Sequence, residues 1–221
     1  MERIRIHKLI RSKRKTIALV IGSDATLTVR APVHIPLNYI ERLVNKKHLW
    51  IKRKISEIES RPKVRPKEFV NGEGFLYLGK VYRFKIVDSG IIFLGEDLFF
   101  PKSMLSNPAQ YLKDWYKIQA AQKIQERVTW HAKEIGVNYK SINITDAQKR
   151  WGSCSQNGSL NFSWRLIMAP VQVVDYVVVH ELAHIREKGH SQKFWNLIRM
   201  ILPGYQENKK WLSENEMLLR I

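Results

Sequence analysis

The sequence predicts an α+β fold in two parts: a basic, β-rich N-terminal part over residues 1–102 and a mainly helical part over residues 103–221. Three observations predict this division. Short alternating apolar stretches recur before residue 102. Helical periodicity over a long stretch begins near residue 107. An Asn-Gly pair, which favours a hairpin turn, separates two strand-like stretches in the second part.

The N-terminal part begins with three strand-like stretches, "RIRIHKLI", "TIALVIG" and "ATLTVRAP", with a turn at "GSDA". Residues 36–60 predict one helix, because apolar residues recur at helical spacing behind Pro36 while lysines and arginines occupy the other face. The two prolines of "RPKVRPKEF" end this helix. The stretches "GFLYLGK", "VYRFKIVD", "IIFLG" and "DLFF" predict further strands.

In the second part, "NPAQYLKDWYKIQAAQKIQERVTWHAKEIG" predicts a long amphipathic helix that Gly136 ends as a C-cap. Two strands joined by the turn at residues 156–158 follow. A helix from about Val171 comes next, and two further helices are divided at Pro203-Gly204. The order is therefore helix, small sheet and helix.

Charge is distributed unevenly in this chain, whose formal net charge is +18. Residues 1–67 contain 18 Lys+Arg against 5 Asp+Glu, and the remainder contains 20 against 15. A basic end predicts a polyanionic partner such as nucleic acid, a nucleotide or an acidic protein. The cations at 11–15, 46–47 and 52–54 suit non-specific contact with nucleic-acid phosphates. A solvated lysine-rich surface is the alternative.

Cysteine usage and hydropathy indicate the cellular compartment of the protein. Cys154 is the single cysteine, so the chain has no disulfide framework and suits a reducing compartment. The charged N-terminus has no apolar stretch typical of a signal peptide, and no window is typical of a membrane span. The sequence therefore predicts a soluble cytoplasmic protein with no membrane partner.

The stretch "VVVHELAHIREKGH" contains the strongest functional signal. His180 and His184 lie four residues apart, so a helix projects both from one face toward a single tetrahedral ion. Glu181 is turned by about 100° around the helix, which suits a general base acting on a zinc-bound water. Gly189 lets the chain turn back, which makes His190 available as a third ligand. We therefore predict a catalytic Zn²⁺ site.

Three segments, "RWGSCSQNGSLNFSWRLIMAP", "DYVVVHELAHIREKGHSQKFW" and "PGYQENKKWL", resemble the YgjP-like zinc metallopeptidase family, which is related to the SprT-like proteases. The segments "SKRKTIALVI" and "LTVRAP" are also similar to the N-terminal part of that family. The resemblance implies Zn²⁺ held by His180, His184 and His190, with Glu181 as catalytic base. It further implies a minimal zincin-like metallopeptidase core.

The expected function is that of a zinc-dependent hydrolase, a metallopeptidase that acts on a peptide or protein. Two alternatives remain open from the sequence. The positive charge also suits a metal-dependent nucleoside triphosphate pyrophosphatase. The basic N-terminal part also suits a DNA-associated protease or binding module.

Additional residues are candidates for substrate binding. The strand Gly158–Trp164 is expected at the sheet edge along the cleft, where a peptide adds by backbone pairing. The residues then expected to face substrate are Arg150, Trp151, Asn161 and Arg165. Tyr205 is a candidate donor to the oxyanion that develops during hydrolysis. The alternative is that these side chains are core or solvated residues.

Three other residues are expected to be structural. Cys154 is expected to be a small buried hydrophobe. Asp175 is expected to cap the start of the histidine helix or to bond a neighbouring group. His131 is expected at the surface or at its boundary.

Overall fold

The structure is a computed structural model, and it describes residues 4–22, 24–60 and 65–221. The chain divides into two compact units, Met1–Lys63 and Val64–Ile221. This division falls earlier than the boundary expected between residues 102 and 103. The physical reason is that Phe75, Phe84 and Phe100 belong to the same hydrophobic core as the helices of the second unit.

The first unit contains a three-stranded sheet with the order β1-β3-β2, in which β3 runs parallel to β1 and antiparallel to β2. Its strands are β1 (Lys8–Ser12), β2 (Ala18–Ile21) and β3 (Leu27–Pro32). Leu27, Val29 and Ala31 alternate along β3 and are buried on one face of the sheet. The expected turn at residues 22–25 includes residue 23, which lies outside the described residues.

Two helices follow where the sequence predicts one. They are α1 (Leu37–Lys46) and α2 (His48–Glu59). The chain departs from helical geometry at Lys47, where φ is −99° and ψ is 12°. Ile40, Val44 and Ile51 pack on the apolar face of the sheet, so this unit has a core of its own. The helix break expected over residues 61–69 lies partly outside the described residues.

The second unit begins with a four-stranded sheet in the order β4-β5-β7-β6. Its strands are β4 (Gly74–Tyr77), β5 (Lys80–Val87), β6 (Phe93–Leu94) and β7 (Leu98–Pro101). The strands β5 and β7 are parallel, whereas the two outer pairs are antiparallel. The strands predicted in this region are confirmed.

The long helix α3 (Pro108–Ile135) packs against strands and helices of this unit. It ends at Gly136, whose φ of 71° and ψ of 47° are left-handed, which confirms the predicted C-cap. Its fully buried side chains recur every four residues, at Leu112, Tyr116, Ala120, Ile124 and Val128. Burying each of the larger apolar side chains contributes about 1.5–3 kcal/mol.

A second three-stranded sheet has the order β8-β10-β9. Its strands are β8 (Ser141–Thr145), β9 (Gly152–Cys154) and β10 (Ser159–Ser163). The expectation that Gly158–Trp164 forms the edge is wrong, because β10 lies between the other two strands. The stretch expected as one strand before the turn contains both β8 and β9, and β9 is the edge strand.

Three helices complete the chain, namely α4 (Val171–Arg186), α5 (Gln192–Ile201) and α6 (Tyr205–Asn215). They confirm the predicted histidine helix and the division at Pro203-Gly204. The described residues thus form an α+β fold with six α-helices and three small sheets. The predicted order of helix, small sheet and helix in the second unit is confirmed by α3, β8–β10 and α4. No helix in the described ranges is long and apolar enough to cross a membrane.

Candidate active site

The helix α4 is buried on nearly all sides before it reaches the histidines. Every residue from Val173 to Val179 is buried, as expected of a helix that crosses the middle of a core. Arg127 Nε and Nη2 of α3 donate to the Asp175 carboxylate at 2.5 and 3.0 Å, and His131 Nε2 lies 3.3 Å from it. His131 is 1% exposed, so the expectation of a surface position is wrong.

Asp175 is the fifth residue of α4 and does not cap the helix. Burial raises the pKa of Asp175, but hydrogen bonds from His131 and Arg127, together with their charges, outweigh burial and hold that pKa below its usual value. The carboxylate therefore links α4 to α3 as a buried ion pair. The sequence does not identify this partner, because 48 residues separate Arg127 from Asp175.

The three predicted histidines come together at the end of α4. One ligand nitrogen from each of His180, His184 and His190 lies within 4.8 Å of the others. The Nε2 atoms of His180 and His190 are 3.1 Å apart. His184 Nδ1 donates to the carbonyl oxygen of Glu187 at 3.0 Å, which leaves Nε2 of His184 with its lone pair free for an ion.

His190 comes from the segment between α4 and α5. The helix α4 ends at Arg186, because Glu187 is extended with φ of −124° and ψ of 104°. The expectation that Gly189 interrupts the helix to let the chain turn back is therefore wrong, since the chain leaves the helix at Glu187, two residues earlier. The next residue, Ser191, caps α5 by accepting a hydrogen bond from the backbone N–H of Phe194.

Aromatic rings of α5 fix the orientation of the imidazoles. The ring of His184 stacks on Phe194 with centroids 4.6 Å apart, and that of His190 stacks on Trp195 at 5.6 Å. The His180 ring meets Phe194 edge-on at 5.0 Å. The histidines are therefore held by packing as well as by the chain, and the adjacent "FW" pair was the sequence signal for this contact.

The environment of His180 and His190 favours their neutral forms. Burial, followed by the neighbouring His184, His190 and Lys209, lowers the pKa of His180 to about 3. Burial, followed by the neighbouring His184 and Lys209, also lowers the pKa of His190. Neutral imidazole is the form that binds a metal. His180 Nδ1 is buried and has no hydrogen-bond partner among the described residues.

Glu181 lies beside this cluster and is 5% exposed. Burial raises the pKa of Glu181 to about 7, although the charge of Arg150 and the backbone N–H of Cys154 act in the opposite direction. The carboxylate lies against the backbone of Gly152. A Cβ atom at position 152 would be 2.6 Å from both Cγ and Oε1 of Glu181.

Two cavities meet at Gly152, His180 and Glu181 and form one cleft. The cavity of about 390 Å³ lies toward α6, and its other lining residues are Trp151, Tyr176, Val177, Lys209, Leu212, Ser213 and Glu216. The cavity of about 700 Å³ follows β9, and its other lining residues are Ser153, Cys154, Ser155, Gln156, His184, Lys188 and His190. The histidines and Glu181 therefore lie at the middle of the cleft.

The edge strand β9 turns part of its backbone toward this cleft. Ser163 N–H donates to Trp151 C=O, and Ser155 N–H donates to Ser159 C=O, so the odd-numbered positions of β9 pair with β10. Alternation in an antiparallel ladder then leaves the N–H and C=O groups of Gly152 and Cys154 pointing away from the sheet. The alternation thus leaves the N–H and C=O of Gly152 and the C=O of Cys154 outside the ladder, while the N–H of Cys154 donates to the Glu181 carboxylate.

The predicted substrate-binding residues separate into two groups. Trp151 lines the smaller cavity, and the charge of Arg150 acts on Glu181. The other three residues do not line either cavity. Asn161 lies on the sheet face opposite Leu160 and Phe162, where its amide donates to Ser153 Oγ at 3.3 Å.

Arg165 and Tyr205 have partners elsewhere in the second unit. Arg165 donates to the Asp146 carboxylate at 2.7 Å and covers the ring of Trp164. Tyr205 is 6% exposed, and its ring stacks on Trp195 with centroids 5.5 Å apart. Sequence spacing did not reveal these partners.

Three residues of the cleft were missed or misjudged from the sequence. Lys209 lines the smaller cavity and Lys188 lines the larger one. Both lie near the histidine motif in the sequence, but in a chain so rich in lysine the sequence did not distinguish them. Cys154 lines the larger cavity and is only half-buried, so the expectation of a buried position is wrong. Burial raises the pKa of the Cys154 thiol, while the Lys188 charge opposes that effect and Glu181 adds to it.

Three imidazoles close enough to share one metal ion thus lie beside a buried glutamate in a single cleft. The family model of the YgjP-like metallopeptidase domain matches residues 15–215. The chain belongs to this family and is therefore a metal-dependent peptidase. No match was found among curated proteins.

Two solved structures are similar over a smaller part of the chain. The metallopeptidase zymogen abylysin of Pyrococcus abyssi is 17% identical over 41% of this chain and 93% of its own, with a TM-score of 0.38. The metallopeptidase zymogen jannalysin of Methanocaldococcus jannaschii is 20% identical over 42% of this chain and 95% of its own, also with a TM-score of 0.38. Family membership therefore rests on the family model.

Proposed function

We propose that the protein is a zinc-dependent peptidase in which His180, His184 and His190 hold Zn²⁺ and Glu181 is the general base. The observation that carries this proposal is the convergence of three imidazoles beside one buried carboxylate in the middle of the cleft. The single cysteine supports a cytoplasmic location, because a free thiol suits a reducing compartment.

Three imidazole nitrogens are a donor set that zinc binds, and one pair of them has the spacing that zinc requires. Zn–N bonds of about 2.0–2.1 Å at tetrahedral angles require ligand nitrogens about 3.3 Å apart. The Nε2 atoms of His180 and His190 are 3.1 Å apart, close to this requirement. Three nitrogen ligands leave one position open, as catalytic zinc sites do. When bound, zinc supplies Lewis acidity that activates water and polarises a carbonyl group.

Glu181 has the position that a general base needs. Its carboxylate lies at the junction of the two cavities, where it takes a proton from the attacking water and returns the proton to the leaving amine. Gly152 leaves the space in which this carboxylate sits. Because the site is largely closed to solvent around Glu181, the transferred proton stays between substrate and carboxylate.

The peptide substrate is proposed to lie along β9. The outward N–H and C=O groups of Gly152 and the outward C=O of Cys154 pair with the substrate backbone, so that the substrate adds an antiparallel strand to the sheet. This pairing aligns a scissile carbonyl beside His180 and Glu181 without selecting particular side chains. The side chains of the substrate then enter the cavities on either side.

The test combines metal content with activity on an unfolded protein substrate. Wild-type protein is expected to contain one zinc per chain, and Glu181→Gln is expected to keep that zinc while hydrolysis falls about 10²–10⁴-fold. Glu214→Gln, which changes an exposed glutamate of α6 outside the cleft lining, is the matched control and keeps activity. If Glu181→Gln retains full activity, Glu181 is not the base. If purified protein binds no zinc, the metal is assigned wrongly.

A second candidate is hydrolysis of nucleoside triphosphates, which one observation favours. Arg150, Lys188 and Lys209 bring three cations to the cleft, and the charges of Arg150 and Lys209 act on Glu181 and on the histidines. Such a field attracts an anionic substrate. An assay of nucleoside triphosphates with wild type, Glu181→Gln and Lys209→Met separates the two functions. The candidate requires phosphate release that both substitutions lower, while the peptidase alone predicts no release.

A further inference from the structure

The proposed chemistry uses no residue of the first unit, yet this unit holds a large excess of positive charge. Residues 1–63 contain 16 Lys+Arg against 5 Asp+Glu. Residues 37–59, which include its two helices, contain six of these cations and three of these carboxylates. The inner faces of the helices are occupied by Ile40, Val44 and Ile51. The outer faces of α1 and α2 are therefore the place to look for a partner.

In α1, Tyr39, Arg42 and Lys46 are spaced by three and four residues, which places them on one face. All three are exposed. In α2, Leu49 and Trp50 lie one turn before Arg53, and these three are exposed as well. This set of six residues is called the basic–aromatic face below.

The two halves of this face follow one another along the helices. Lys47 joins the two helices: its N–H donates to Leu43 C=O of α1 at 3.1 Å, and its C=O accepts from Ile51 N–H of α2 at 3.0 Å. The six residues fall within 15 positions of the chain, from Tyr39 to Arg53. The face therefore consists of two short groups, one on each of two consecutive helices.

The side chains of the basic–aromatic face have few partners among the described residues. Tyr39 is 50% exposed, Trp50 is 37% exposed and Leu49 is 74% exposed. Neither Arg42 nor Lys46 pairs with a carboxylate in the part of the chain that the structure describes. Arg53 shares Glu57 with Lys54, which lies nearer to that carboxylate at 2.6 Å against 3.6 Å for Arg53.

We propose that the basic–aromatic face binds single-stranded nucleic acid. Arg42, Lys46 and Arg53 contact phosphates, and the rings of Tyr39 and Trp50 stack with bases. Cations interleaved with exposed rings fit this ligand because a single strand offers both charge and unstacked aromatic faces. A duplex offers the charge alone. A membrane-binding helix needs a continuous apolar strip, whereas Leu49 is the single aliphatic residue of this face.

The test measures fluorescence anisotropy of a labelled 20-nucleotide oligothymidylate with the full chain across a range of salt concentrations. Wild-type affinity is expected to fall with salt. The double variant Arg42→Glu/Lys46→Glu is expected to raise Kd at least tenfold and to reduce the salt slope by about 1.4, which is about 0.7 for each lost phosphate contact. Trp50→Ala is expected to raise Kd about fivefold or more, because a stacked base is lost.

The matched control is Lys80→Glu/Lys102→Glu, which removes two exposed lysines of the second unit and changes net charge equally. It is expected to bind within twofold of wild type. The proposal is overturned if this control loses as much affinity as the face variant, or if a duplex of the same length binds more tightly. Binding to phosphatidylserine vesicles without binding to the oligonucleotide also overturns it. Because all changed side chains are exposed, circular dichroism is expected to show unchanged folding.

Discussion

Gly152 on the edge strand and Glu181 on the central helix are in such close contact that position 152 has no room for a Cβ atom. That atom would lie 2.6 Å from Cγ and Oε1 of Glu181, in a contact that real structures essentially never show. Either the strand or the glutamate would have to move. The position of the carboxylate in the cleft therefore depends on a glycine 29 positions earlier in the chain.

Gly152→Ala is expected to lower kcat at least tenfold while zinc content stays unchanged. The added methyl group moves the carboxylate away from the position where it accepts a proton, and a displacement of about 1 Å can cost about 100-fold. The measurement is steady-state peptidase kinetics together with metal analysis. Gly189→Ala is the control, because a Cβ atom there meets nothing within 4 Å. Equal activity of the two variants would show that the contact does not position Glu181.

Removal of His190 is expected to separate metal binding from folding. His190 is exposed, whereas His180 and His184 belong to the core helix. His190→Ala should therefore weaken zinc binding by more than the 10–100-fold typical of losing an outer hydrogen-bond partner. The unfolding temperature of the metal-free protein should stay within a few degrees of wild type. Zinc should raise the unfolding temperature of wild type and not of this variant. Calorimetry with and without a chelator measures both effects.

Breaking the buried ion pair between α3 and α4 is expected to destabilise the protein strongly. Arg127→Met leaves the Asp175 carboxylate buried without its bidentate partner, which should cost about 3–5 kcal/mol in urea unfolding. Glu214→Gln, which removes the exposed pair with Lys210, should cost less than about 1 kcal/mol. A small effect of Arg127→Met would mean that Asp175 is satisfied by His131 alone.

The same carboxylate predicts how stability depends on pH. The folded-state pKa of Asp175 is depressed, so its contribution is present above the unfolded-state pKa of about 3.9 and is lost as pH falls through the folded-state value. The difference in unfolding free energy between wild type and Asp175→Asn should therefore be constant from pH 7 to 5 and shrink below about pH 4. His131 and Arg127 face this carboxylate from α3. A difference that grows in acid would contradict the assignment.

Arg165 and Asp146 supply a contrasting prediction on substrate binding. Burial raises the pKa of Asp146, but hydrogen bonds from Lys113, Trp164 and Arg165 outweigh it and hold that pKa well below its usual range. Because Arg165 is engaged there, Arg165→Gln should leave KM for peptides within twofold of wild type. An increase of KM of tenfold or more would show that Arg165 does contribute to substrate binding.

Local sequence patterns predicted the elements and the histidine cluster of this protein. The approach of His180 and His184 depends only on the geometry of one helix turn. The helix end at Gly136 depends only on the backbone freedom of that glycine. Both features could therefore be predicted from local sequence. The edge strand was not, because three-residue β9 carries no alternation long enough to recognise. Partners far apart in the chain, such as Arg127 with Asp175 and Gly152 with Glu181, depend on how helices and strands pack. Spacing contains no information about them.

The ion pair of α4 also determines what the helix can present to the cleft. A helix that is apolar on nearly all sides has many orientations of similar energy, since one valine replaces another as it rotates or slides by a turn. Asp175 removes this freedom, because only one rotation and one height bring its carboxylate to Arg127 and His131. His180, Glu181 and His184 lie within three turns of Asp175 on the same helix. The buried ion pair of Asp175 with Arg127 thus determines the direction in which the candidate metal ligands of α4 face.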